Sequence, residues 1–135
     1  MLPRWSDTYL VGHSSMDSQH RELLDYAASL MRAHSSEVQV SCAEDLCNLM
    51  SAHFAHEEAL MRSIKYVGFD EHKAQHRNIL SRLREIQLAI AGQQLNLDII
   101  DTEIHDLMVM HIINFDRDLS AKISALGNWG YEADE

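Results

Sequence analysis

A chain of 135 residues, 46% hydrophobic and 24% charged, has the size and make-up of one folded domain. Its net charge of −10 repels phosphate backbones and anionic lipid, which argues against nucleic-acid and membrane partners. One proline, Pro3, and 5 glycines supply too little turn chemistry for a many-stranded fold, and no run approaches the ~20 apolar residues of a membrane span.

The opening segment, residues 1–14 with Trp5 and Tyr9, reads as an arm laid over the body of the domain. It has no apolar leader core, so a cytoplasmic location is expected. The first helix is predicted from about Ser15 to Ser35, with Met16, His20, Leu23, Leu24, Ala27, Leu30 and Met31 at three- and four-residue steps, after a start signal at Ser14 and Asp17. A second starts at Ser41, where Glu44 completes a capping-box pattern, and carries Leu46, Met50, His53, Phe54, Glu57, Leu60 and Met61 to about Ile64. The third opens at Asp70 and presents His72, His76, Ile79, Leu83, Ile86 and Ile90 before Gly92, a natural terminator. The fourth runs from about Asp98 to Gly127 through Ile100, Ile104, Leu107, Met108, His111, Ile112, Phe115, Leu119 and Ile123. Residues 128–135 form a polar tail. Four long amphipathic helices with short links predict an all-α, up-down-up-down antiparallel four-helix bundle over residues 15–127, in a single domain spanning 1–135. Cys42 and Cys47 lie about 140° apart on one helix and are expected as free thiols.

Nine histidines are an unusual count, and five of them interrupt the apolar stripes. His20 does so on the first helix. His53 and Glu57 are four apart on the second and share a face; His72 and His76 repeat that spacing on the third. On the fourth, Asp116 follows His111 by five residues, about 140° around an ideal helix, so either Asp116 reaches across or a π-bulge brings the two together. Burying so many polar groups separately would cost a few kcal/mol each, whereas a shared metal satisfies them together. Seven ligands are too many for tetrahedral zinc, and His56-Glu57-Glu58-Ala59-Leu60 lacks the second histidine of a zinc-protease motif. Imidazole mixed with carboxylate suits a pair of iron or manganese ions. If Glu57 and Asp116 bridge and one oxygen atom is shared, almost all of about twelve coordination positions are filled, leaving one open for a small ligand.

These residues resemble the bacteriohemerythrin family. The stretch from Trp5 to Gly12 and on through Met16-Asp17-Ser18-Gln19-His20 is similar to its opening. His53-Phe54-Ala55-His56-Glu57-Glu58-Ala59-Leu60-Met61 is similar to its second motif, and Tyr66, His72, His76, His111-Ile112 and Asp116 complete the pattern. The resemblance implies two iron ions joined by an oxo or hydroxo bridge, with His72, His76 and His111 on one, His20 and His53 on the other, and Glu57 and Asp116 bridging. It also implies dioxygen as ligand, bound in an apolar pocket at Leu23, Phe54, Ile112 and Leu107, the last standing where many relatives have tryptophan. The implied role is reversible dioxygen binding for carriage, storage or delivery. The same domain also serves as a dioxygen or redox sensor for a signalling or oxygen-consuming partner, and a di-iron peroxidase, oxidase or nitric-oxide-handling activity is a third possibility. His13, His34, His56 and His105 fall outside the pattern and are expected at the surface or at helix ends.

Overall fold

The computed structural model describes residues 5–93 and 96–126, and every regular element among them is helical. Helix α1 spans Ser14–Arg32, α2 Ser36–Ser63, α3 Phe69–Ala91 and α4 Leu97–His111. A five-residue π-turn, Ile112–Asp116, joins α4 to α5, Arg117–Ala125, so that these three pieces make the fourth rod of an antiparallel bundle. Each rod packs on its neighbour in sequence, and α1 closes the bundle against α4. No helix among the described residues is long and apolar enough to cross a membrane. The predicted tail and the terminator Gly127 lie outside the described residues.

The helix ends depart from the sequence reading for local reasons. α2 begins five residues earlier than predicted, because Ser35 is its cap: the Oγ accepts from the Val38 amide at 3.2 Å. The Ser41/Glu44 pattern sits inside the helix. α1 is capped by His13, whose Nδ1 accepts from the Met16 amide at 3.3 Å, so this histidine is at a helix end as expected but buried. α2 ends in a Schellman-type turn, with Lys65 at φ 54° and the Tyr66 amide bonded to the Met61 carbonyl. Beyond it the Tyr66 ring lies so close over Gly68 that a β-carbon there would sit 2.9 Å from it and would have to push the ring aside. Gly92 does not use its conformational freedom; the left-handed residue ending α3 is Gln93, at φ 56°.

The interior is layered. The larger apolar cluster gathers Leu23, Leu24, Ala27 and Leu30 of α1 with Leu46, Met50 and Phe54 of α2, Ile79, Leu83 and Ile86 of α3, and Ile100, Ile104 and Met108 of α4. A smaller one at the opposite end holds Met16, Leu60, Met61, Leu119 and Ile123. Along each rod the ligand-type residues fall between the stretches that feed the two clusters, so the buried polar groups form one slab between two oily ones.

The described part of the arm begins at Trp5. It makes a 3₁₀ turn at Asp7–Tyr9, Trp5 and Tyr9 pack against the larger cluster, and the Arg21 guanidinium stacks 4.7 Å from the Trp5 ring. Tyr9 Oη shares a 3.2 Å hydrogen bond with His105 Nε2. His105 is therefore buried under the arm, a correction to its expected surface position, whereas His34 and His56 are exposed.

Candidate metal centre

All four rods deliver a side chain to the slab. α1 gives His20, α2 gives His53 and Glu57 on successive turns, α3 gives His72 and His76, and the fourth rod gives His111 and Asp116. The last pair is brought together by the π-turn: its wider i→i+5 spacing, closed by the Arg117 amide on the Ile112 carbonyl, makes five residues roughly one turn. All seven side chains are at most 5% exposed, and both carboxylates are fully buried.

The geometry separates the histidines into two sets. Glu57 Oε1 lies 2.9 Å from His76 Nε2 and 3.2 Å from His72 Nε2, while Glu57 Oε2 lies 2.8 Å from His53 Nε2 and 3.6 Å from His20 Nε2. Asp116 divides the same way, with Oδ1 3.1 Å from both His72 and His111 Nε2 and Oδ2 2.9 Å from His20 Nε2. Two ligand groups result: Glu57, His72, His76, His111 and Asp116 in one, and His20, His53, Glu57 and Asp116 in the other. Within each, the donor atoms all lie within 4.8 Å of one another.

Two flanking residues to which the sequence reading assigned no role hold rings in place. His53 Nδ1 donates to Gln19 Oε1 at 2.5 Å, and His76 Nδ1 donates to Glu58 Oε2 at 2.9 Å. Each bond fixes which ring nitrogen faces the centre, as metal-binding histidines require. Their signal was adjacency, since Gln19 precedes His20 and Glu58 follows Glu57.

The donor set fits a metal. His20 Nε2, His53 Nε2, Glu57 Oε2 and both Asp116 oxygens are buried without a properly directed hydrogen bond, a cost that a cation among them removes. Without metal, protons take that place. Burial opposes charge on His20, but its contacts with Asp116 and Glu57 outweigh this and push it up to about 10; the same balance pushes His111 up to about 9. Burial also works against ionised Glu57 and Asp116, yet the surrounding imidazoles hold both below the usual carboxylate range. The raised histidines therefore stabilise the metal-free fold fully below about 6.5, their unfolded value, and that contribution is lost as pH rises through 9 to 10; the depressed carboxylates contribute above about 4.5 and lose it as pH falls. Because a metal needs neutral imidazole, loading at pH 7 is expected to release protons from the raised histidines, His72 among them, and to tighten as pH rises. Calorimetry in buffers of different ionisation heat measures this, and proton-neutral loading would contradict it.

A small cavity of about 10 Å³, barely room for one water-sized molecule, adjoins the site. It is lined by His20, His53, His111 and Asp116 and otherwise by Leu23, Met50, Phe54, Ile79, Met108 and Ile112. Three expected pocket residues, Leu23, Phe54 and Ile112, are thus on its wall. Leu107 is not: it faces an outer groove between α3 and α4, and Met108 occupies the inner position. Met50, Ile79 and Met108 were legible only as apolar stripe positions, with nothing to mark them as cavity lining.

Residues 11–119 match the sequence profile of the hemerythrin HHE cation binding domain. The chain is 24% identical over 119 residues to a myohemerythrin of Sipunculus nudus, covering 88% of this chain and 92% of that one. It is 26% identical over 125 residues to a bacteriohemerythrin of Stenotrophomonas maltophilia, covering 90% and 81%. A solved crystal structure of a leucine-to-phenylalanine mutant superposes with a TM-score of 0.79 at 21% identity, over 89% of this chain and 95% of that one.

Proposed function

The chain belongs to the hemerythrin family, and we propose that it is a non-haem di-iron protein binding dioxygen reversibly at one open iron position, for oxygen carriage, storage or delivery. The observation that carries this reading is the division of labour between the carboxylate oxygens: each of Glu57 and Asp116 turns one oxygen to each histidine set. In the proposal His72, His76 and His111 hold one iron, His20 and His53 the other, and the two carboxylates span them. Five ligands on one side against four on the other leave the two-histidine iron one position short once a further bridging atom is shared. When bound, a ferrous pair supplies an open coordination position and two electrons to dioxygen.

The chain's own residues then decide what reaches that position. The cavity touches both histidines of the two-histidine set but only His111 of the other, which supports placing the open position on that side. Beyond the ligand candidates its wall is hydrocarbon and thioether. Such a wall disfavours water and anions and offers no acid that would deliver a proton, which favours reversible binding over turnover. Gln19 and Glu58 hold His53 and His76 in orientation throughout.

The test is to load the chain with iron, reduce it anaerobically, and admit air while recording the visible spectrum and the iron content. Two irons per chain and a band that forms in air and disappears under vacuum are expected. A single tightly held metal, or immediate irreversible oxidation, would overturn the reading.

A further inference from the structure

A cation bound for the slab has to enter from the side. The two apolar clusters close its ends, and a divalent ion crosses neither without losing hydration that nothing there replaces. The three-histidine face is shut by aromatic rings: His76 lies flat on Phe54 at 3.8 Å, His111 on Phe115 at 5.5 Å, and His72 sits against Phe115 at 5.5 Å and Tyr66 at 6.4 Å. The groove between α3 and α4 meets His111 alone of the seven ligand candidates, and one of its acids, Glu103, is already paired with Arg82. The two-histidine face is different. A cleft of about 250 Å³ runs in between α1 and α2 as far as His53, and no lysine or arginine lines it. Along both of its helices polar donors step from outside to inside. On α1 Glu22 is exposed, Gln19 half-buried and His20 buried; on α2 His56 is exposed, and His53 and Glu57 are buried. Gln19 and His53 meet at the threshold in a single 2.5 Å hydrogen bond. Its acceptor is an amide oxygen, a weaker anchor than the Glu58 carboxylate that holds His76.

We infer that the α1–α2 cleft is the port through which the centre is loaded: Glu22 and His56 take a hydrated divalent cation at its mouth and pass it by Gln19 and His53 to the two-histidine position. The port rests on the metal centre proposed above. Donors replace water a few at a time along this path, so the ion is never stripped bare in a low-dielectric interior. Because the same path serves entry and exit, the port sets both rates and leaves the affinity alone.

The test follows uptake of cobalt(II) by the metal-free full chain in a stopped-flow instrument, where the visible absorption of the ion reports the exchange of water for imidazole. Glu22→Gln combined with His56→Ala should slow uptake about tenfold and slow removal by excess chelator by the same factor. The final cobalt content should be unchanged and the dissociation constant should stay within about twofold. His56→Ala alone removes no carboxylate and should still slow uptake about threefold. Asp106→Asn, which takes one negative charge from the α3–α4 groove, should leave both rates as they are. Uptake by the double variant at the unsubstituted rate, or an equal slowing by Asp106→Asn, would overturn the port while leaving the centre intact. Faster removal with weakened affinity would make Glu22 or His56 part of the holding site and equally overturn the port. If the unsubstituted chain takes up neither cobalt(II) nor iron(II), the centre itself falls, and the port with it.

Discussion

On the di-iron reading proposed above, replacing Glu57 by alanine is expected to abolish binding of both metals, not one, and to cost the fold about 3–5 kcal/mol. Among the described residues Glu57 is the one that stands within 3.8 Å of all five histidines of the slab: His72, His76 and His111 through Oε1, His20 and His53 through Oε2. Its removal takes a ligand from each group and leaves raised-pKa imidazoles buried without their shared counter-charge. Glu57→Gln keeps the volume but not the charge, so it should retain more of the fold than alanine while still failing to hold two metals. Elemental analysis and thermal unfolding on both variants check this. A Glu57→Ala protein that still carries two metals would remove Glu57 from the centre.

Inserting one alanine after Asn114 is the second severe change, although Asn114 itself is exposed. Five residues in the π-turn already occupy the angular space that four fill in an α-helix, which is what brings Asp116 onto the face of His111, and a sixth has no such space to take up. Everything from Phe115 onward then rotates by about 100° relative to His111. Asp116 turns away from the site, and Leu119 and Ile123, both at most 1% exposed, leave the smaller apolar cluster. The expected result is loss of metal binding and a stability loss of at least about 3 kcal/mol. Asn114→Ala, which keeps the register, should stay within about 0.5 kcal/mol of the unsubstituted protein. An insertion variant with intact metal content would mean that the π-turn does not set the position of Asp116.

Much of the bundle and its centre was legible in the chain because both are written in helical periodicity. His20, His53, Glu57, His72 and His76 stood out as polar interruptions of apolar stripes, and the structure brings them to one slab. The mismatch between His111 and Asp116 was visible as an angle, and the π-turn resolves it. Local signals misled where two were in competition. The Ser41/Glu44 box resembles a helix start, but Ser35 caps first and the helix simply runs through the later pattern. Features created by distant contacts left no local trace. His105 is buried because Tyr9, 96 residues away, lies over it, and periodicity cannot tell a methionine that fills space, such as Met31, from one that borders a void, such as Met108. Leu107 and Met108 differ by one position, or about 100° of rotation, and only the packing of the fourth rod decides which faces inward.

The layered interior also governs how the molecule comes apart. Apolar contact between the two clusters is interrupted at every rod by the ligand slab, so the larger cluster can hold together without help from the smaller one, but the reverse does not hold: five side chains form a thin nucleus. A cation gripped by all four rods ties the two ends into a single cooperative unit. Once it is withdrawn, the end containing Met16, Met61 and Leu119 is free to open as a separate sub-global event while the long end stays folded. On the di-iron reading proposed above the centre is thus also a rivet, and its loss would leave the smaller end as the first to open.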